Sequence, residues 1–245
     1  MDQSLPRDLP VPATKTAALR YLAESAGYGY VLFQHGLVPT AKAAALVEKF
    51  DDAYGILATR GARDHARTKG RSRSKLVMFP KEDDPATMLF WLLATEGDGA
   101  VPLAANTFDA RKPESRVTWG DQYELVSRPV RRRTGELHHV WTWVLTDSNY
   151  KGWQERLKTA GGRVRSSRER KPDFLEQQVG FLRKVPGFQG INRQKRSLIL
   201  GADIPREFHI SMSLRTLGTV VDKKLNIFAE GRTVRSLASE MPKPA

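Results

Sequence analysis

An α+β fold is predicted, with a mixed or antiparallel sheet body, a β-hairpin, and a mainly helical, basic region after them. Residues 116–126 and 138–146 alternate apolar with polar side chains, and the segment between them contains Pro129 and Gly135. That pattern is typical of two antiparallel strands joined by a turn. After residue 147, apolar residues recur at helical spacing instead.

The remaining elements of the body are predicted from shorter patterns. Ala43, Leu46, Val47, Phe50 and Tyr54 form one apolar stripe of an amphipathic helix, for which Thr40 is the predicted N-cap. The other predicted elements are a helix over residues 17–26, strands over 28–33 and 75–79, and a core helix over 85–95 that begins at Pro85.

Four segments are predicted along the chain. Residues 1–13 carry three prolines and form a flexible tail, and residues 14–147 form the α+β body. Residues 148–205 form a helical basic region, and residues 206–245 a C-terminal segment with a loose end.

The charge balance points to a polyanionic partner. The chain has 40 Lys and Arg against 27 Asp and Glu, which gives a formal net charge of +13. Neutralising phosphates releases condensed counterions, so nucleic acid, either RNA or DNA, is the predicted partner. The alternative is a solvated basic surface. An Ala- and Arg-rich composition also suits a GC-rich bacterial genome or its mobile elements.

Several other classes are disfavoured by composition. The absence of cysteine excludes disulfides, thiolate metal sites and a cysteine nucleophile. No apolar run approaches the roughly 18 residues of a membrane helix, so no membrane partner is predicted. The first ten residues are acidic and contain proline, unlike a secretory signal, and a cytoplasmic location is expected.

Basic residues fall into four clusters, each of which is a candidate contact with the phosphate backbone. Guanidinium groups bind phosphate oxygens bidentately, which suits such a contact. The first cluster also contains small residues and is predicted to be flexible. The candidates are Arg60, Arg63, Arg67, Lys69, Arg71, Arg73 and Lys75, then Arg131, Arg132 and Arg133 at the hairpin tip, Arg165, Arg168 and Arg170, and finally Arg193, Lys195 and Arg196.

Each cluster also has a structural alternative. The first could be a solvated surface loop, and the hairpin tip a charged edge that prevents pairing between sheets. Trp119, Trp141 and Trp143 could stack on bases, although packing in the sheet core is the favoured interpretation.

One catalytic candidate is present. His35 is predicted to lie in a turn between a strand and the Thr40 helix, where it could act as general base on a ribose 2′-OH beside Arg or Lys. In outline this resembles metal-independent RNA-processing endonucleases. The resemblance covers about the first fifty residues and lacks the glycine-rich C-terminal loop of that class. The alternative is a histidine that supports a tight turn.

No other catalytic or cofactor motif occurs. The sequence lacks a phosphate-cradling GxxxxGK[ST] loop, a GxGxxG fingerprint, a GxSxG elbow and an HxxxH pair. Neither a metal site nor a cofactor is therefore predicted.

Three functions remain open from the sequence. The first is a nucleic-acid-binding protein that contacts the phosphate backbone. Such a protein could be a subunit of a larger nucleoprotein complex, with other protein subunits as partners. The second is a metal-independent endoribonuclease that uses His35. The third is a protein-interaction or ribosome-associated module whose charge matches an acidic surface.

Overall fold

The structure is a computed structural model, and it describes residues 8–166, 173–202 and 226–240. The chain divides into two compact units. The described residues up to Arg116 and from residue 226 onward form the first unit, and those from Val117 to Ala202 form the second. The predicted body of residues 14–147 therefore draws on both units, because the hairpin belongs with the helices that follow it.

Both units combine strands with helices. The first unit begins with β1 (Pro10–Pro12), α1 (Lys15–Gly27), β2 (Leu32–Pro39), α2 (Thr40–Tyr54), α3 (Arg60–Thr68), β3 (Ser74–Lys81), β4 (Asp84–Ala94), α4 (Ala100–Leu103) and β5 (Phe108–Asp109). The second unit contains β6 (Thr118–Trp119), β7 (Tyr123–Arg131), β8 (Leu137–Leu145), α5 (Asp147–Ser166), α6 (Asp173–Lys184) and α7 (Gln189–Gly201). The first unit is completed by β9 (Phe228–Thr233) and α8 (Val234–Glu240).

A four-stranded antiparallel sheet with the order β3-β4-β2-β5 organises the first unit. Because side chains alternate between the two faces of a strand, Met78, Met88 and Leu92 lie on one face, in a core that also contains Ala43 and Val47 of α2. The apolar stripe predicted for this helix therefore packs as expected.

A second, two-stranded sheet joins the first and last described strands of the first unit. β1 pairs antiparallel with β9, and Val11 in β1 is fully buried in the same core as Val234 at the start of α8. The part of the predicted tail that the structure describes is thus packed. Residues 1–7, 203–225 and 241–245 of the predicted terminal segments lie outside the described residues.

The predicted hairpin is present in the second unit. β7 pairs antiparallel with β8 from Tyr123–Leu145 to Arg131–Leu137, and the first predicted strand is divided at Gly120, so that β6 folds back onto β7. α7 packs closely on β8: the side-chain amide of Gln194 both accepts from Leu145 N (2.7 Å) and donates to Leu145 O (3.2 Å).

The helix predicted over residues 85–95 is wrong. Residues 85–94 lie in β4, which pairs with β3 on one side and β2 on the other. Trp91 and Leu93 are buried on one face, and Met88, Leu92 and Ala94 on the other. A central strand that is covered on both faces is apolar throughout, as a buried helix also is.

The flexibility predicted for the first basic cluster is also not observed. Thr59 caps α3, its Oγ1 accepting from Ala62 N at 3.3 Å, and β3 begins at Ser74. The intervening loop is tied to the end of β4 by backbone hydrogen bonds between Ser72 and Asp98 and between Asp98 and Gly70. Taken together, the described residues show mixed α and β content with antiparallel sheets, which agrees with the predicted α+β class.

Candidate functional site

Three cationic side chains of the first unit gather around two tyrosine rings. The Nζ of Lys75 lies 4.5 Å from the centroid of the Tyr30 ring and 5.3 Å from that of Tyr21, and the guanidinium carbon of Arg73 lies 5.3 Å from the centroid of Tyr30. Arg63 is close enough to perturb the titration of Lys75 and of both tyrosines. We call Tyr21, Tyr30, Arg63, Arg73 and Lys75 the cation–tyrosine cluster.

Backbone hydrogen bonds position the members of this cluster. Tyr30 follows α1 and its N donates to Ser25 O at 3.1 Å. Arg73 is held at the start of β3, where its N donates to the Thr95 hydroxyl and its carbonyl accepts from Thr95 N, each at 3.0 Å. Arg63 lies on α3, and its Nη2 donates to Ile56 O at 2.7 Å. Three separate elements thus bring the members of the cluster together.

The electrostatics of the cluster are unfavourable in the absence of an anion. Burial lowers the pKa of Lys75, and the positive charges of Arg63 and Arg73 lower it further, while Glu24 opposes the shift. Burial also raises the pKa of the Tyr21 and Tyr30 hydroxyls, so both remain proton donors at neutral pH. The cluster is therefore a partly desolvated group of positive charges.

Some donor groups of the cluster have no partner in the part of the chain that the structure describes. The Nε atoms of Arg63 and Arg73 are buried and make no hydrogen bond there. Among the same residues, neither arginine nor Lys75 forms a salt bridge, and the nearby Glu24 pairs with Arg20 at 2.7 Å. Buried guanidinium donors that lack a partner are costly to keep in place.

The other predicted residues of the first basic cluster lie outside this site. Arg60, Arg67, Lys69 and Arg71 are exposed, and Arg60 faces Asp64 at 3.9 Å on α3. The structure thus selects Arg63, Arg73 and Lys75 from the seven predicted residues. Sequence patterns do not point to the two tyrosines, because they lie more than thirty residues before the cations that they contact.

The candidate residues of the second unit are separated from one another along the chain. Arg131, Arg132 and Arg133 are exposed at the hairpin tip, as predicted, and Arg132 pairs with Glu136 at 3.5 Å. Arg165 lies near the end of α5, and Arg168 and Arg170 lie outside the described residues. Within the described part of the second unit, no surface is shown to unite these positions.

The fourth predicted cluster is divided by burial. Arg193 and Arg196 are exposed on α7, whereas Lys195 is fully buried and its Nζ donates to Val185 O at 2.6 Å. Burial lowers the pKa of Lys195 to about 8. Lys195 therefore holds the loop before α7, and we do not include it among the proposed phosphate contacts.

His35 does not occupy the predicted turn. It lies within β2, exposed and opposite Trp91 of β4, and its ring contacts those of Phe33 and Phe108. Among the described residues, no hydrogen bond or ion pair holds its side chain in the orientation of a general base.

The positions of the tryptophans agree with packing in the sheet core and not with base stacking. Trp119 and Trp143 are buried in the sheet of the second unit, and Trp141 is half-buried. Trp119 and Trp143 are thus inaccessible to a base.

The described residues also bear on metal sites and membrane-spanning helices. Across the described ranges, no group of three His, Asp or Glu side chains could hold a metal ion, and no helix there is long and apolar enough to cross a membrane. The sequence matches no protein family, and comparison with curated proteins and with solved structures finds no similar protein.

Proposed function

We propose that the protein binds nucleic acid through its phosphate backbone and that the cation–tyrosine cluster is the principal contact. The observation that carries the proposal is the convergence of Arg63, Arg73 and Lys75 without a carboxylate partner among the described residues. Three positive groups that repel one another are stabilised when a phosphate lies between them.

A polymeric ligand accounts for more of the molecule than a small anion does. The chain carries a net charge of +13, and exposed Arg67, Lys69 and Arg71 flank the cluster in sequence. These residues would meet neighbouring phosphates of the same strand, with little discrimination between base sequences. The exposed arginines at the hairpin tip and on α7 are proposed as secondary contacts.

The setting of this function follows from the same charge. We propose that the protein is a subunit of a larger nucleoprotein complex in the cytoplasm, where it contacts RNA or DNA and other subunits. A basic protein that binds the phosphate backbone without base-specific contacts is typical of such a subunit. The surroundings of His35 give no support to an endoribonuclease.

The test compares two double variants that each remove two positive charges. Arg73→Gln with Lys75→Gln removes two members of the cluster, and Arg67→Gln with Lys69→Gln removes two exposed charges from the same segment. Binding of a labelled oligonucleotide is measured by fluorescence anisotropy between 50 and 200 mM salt, with far-ultraviolet circular dichroism as a check on folding.

The cluster variant should lose roughly tenfold in affinity per contact, and its salt slope should fall by about 1.4–1.8 because each phosphate contact contributes about 0.7–0.9. The control should change much less. Equal losses would show that binding is diffuse, and salt-independent binding by the parent protein would refute the proposal.

A further inference from the structure

Three aromatic rings form a contiguous group at one end of the four-stranded sheet. The Phe33 ring lies 5.6 Å from Phe108 and 5.8 Å from His35 between centroids, and His35 lies 5.7 Å from Phe108. Phe33 is buried, whereas 42% of Phe108 is exposed and His35 is also exposed. Two aromatic rings are thus presented to solvent on a third that supports them.

The strands beneath the rings are firmly held. β5 pairs with β2 at Leu32–Asp109 and Phe33–Phe108. Gln34 Nε2 donates to the Thr107 hydroxyl at 3.2 Å, and that hydroxyl donates to Val101 O at 2.6 Å. The backbone that carries His35 and Phe108 is therefore already ordered before a ligand binds, which limits the entropic cost of the contact.

The ring group and the cation–tyrosine cluster share one face of the sheet. Cross-strand register aligns Lys75 with Leu93, Leu93 with Phe33, and Phe33 with Phe108. Directly paired residues project to the same face, and neighbouring strands are about 4.8 Å apart, so Lys75 and Phe108 lie three strand spacings, or roughly 14 Å, apart across the sheet. Asp109, the next residue along β5, lies on the opposite face.

We propose that His35 and Phe108 form a base-stacking platform and that the ligand is single-stranded nucleic acid. The inference rests on the proposed function, because the phosphate contacts lie at the cation–tyrosine cluster on the same sheet face. Exposed rings beside a positive site are the combination that binds single strands, since any unpaired base offers a face for stacking. In a duplex the bases are stacked on one another and cannot reach such rings.

The experiment measures Phe108→Leu, which keeps an apolar contact with Phe33 but removes the aromatic face. Phe181→Leu on α6 is the matched control, because 46% of Phe181 is exposed. Each variant is titrated with a labelled oligothymidylate and, separately, with a labelled DNA duplex of equal length. His35→Ala and Phe108→Trp complete the series.

We expect Phe108→Leu and His35→Ala each to weaken single-strand binding by roughly 5- to 150-fold, the range for loss of one stacked base. Duplex binding and the salt slope should stay unchanged, because no phosphate contact is removed. Phe108→Trp should restore or improve single-strand binding, and Phe181→Leu should match the parent protein.

Unchanged single-strand affinity in Phe108→Leu would overturn the platform, and so would an equal loss for single strand and duplex. In either case, a loss of binding in the Arg73→Gln, Lys75→Gln variant would leave the proposed function standing. If the parent protein bound neither oligonucleotide, the proposed function itself would fail.

Discussion

Addition of a single methyl group at Gly190, at the start of α7, should strongly lower the stability of the second unit. A Cβ at this position would lie 2.5 Å from the Trp143 carbonyl oxygen, 2.7 Å from Val144 Cγ1 and 3.0 Å from Thr142 Cγ2. The Gly190 N–H also donates to the Thr142 hydroxyl at 3.0 Å. The helix and the strand are therefore in direct backbone contact.

The cost of Gly190→Ala follows from this geometry. Carbon and oxygen atoms ordinarily approach no closer than about 3.3 Å, so α7 must retreat by roughly 0.8 Å. Overpacking costs about 1–3 kcal/mol, and weakening the hydrogen bonds from Gly190 and Gln194 to β8 adds about 1 kcal/mol each. Alanine offsets about 0.5–1 kcal/mol through its helix propensity. The net loss should be about 2–4 kcal/mol.

Urea unfolding followed by tryptophan fluorescence measures this loss, because four of the five tryptophans lie in the second unit. Gly152→Ala in α5 is the control: its added Cβ would meet nothing within 4 Å, so it should stabilise the unit by about 0.5–1 kcal/mol. A Gly190→Ala protein as stable as the parent would refute the close approach of α7 to β8.

Two further expectations concern stability in the second unit. Trp119→Ala should cost about 3–5 kcal/mol in urea unfolding because the ring is buried, whereas replacing Arg131, Arg132 and Arg133 together by Ala should change stability by only a few tenths of a kcal/mol. A comparable loss in both proteins would contradict the division between packed strands and exposed tip. Burial lowers the pKa of Lys195 to about 8 from an ordinary 10.5. Between these two pH values the unfolded chain binds more protons than the folded protein, so the free energy of unfolding should rise between pH 8 and 10. Lys195→Met should lack roughly 1–3 kcal/mol of that rise, and parallel pH profiles for the two proteins would be inconsistent with the buried amine.

Local sequence patterns predict the elements whose periodicity is distinctive. The stripe from Ala43 to Tyr54 and the alternation around Trp119 and Trp143 each match only one kind of element, and helix and strands are found there, although Gly120 divides the first strand. β4 has no such periodicity, because its neighbours β3 and β2 and the layers on both faces bury most of its apolar positions. The information that makes it a strand lies in those partners and not within residues 85–95.

The candidate site shows the same limit more strongly. The charge of Arg63, Arg73 and Lys75 is evident from the sequence, but seven cations in that segment are equivalent there. Tyr21 and Tyr30 come from α1 and the residues after it, and only the folded sheet brings them to Lys75. The sequence pattern puts His35 in a turn because the apolar run ends at Phe33 and a helix begins at Thr40, whereas β2 continues to Pro39.

The pairing of β1 with β9 also sets an order for synthesis on the ribosome. Val11 leaves the ribosome early, yet its partner strand begins only at Phe228, after the whole second unit has been translated. At about 5–20 residues per second, translation of the more than one hundred residues between Arg116 and Phe228 takes roughly 5–20 s. Throughout it the nascent first unit exposes the apolar surface that α8 later covers. The second unit is contiguous in sequence and is free to fold first. The first unit, whose synthesis begins earlier, can therefore complete its fold only after the second.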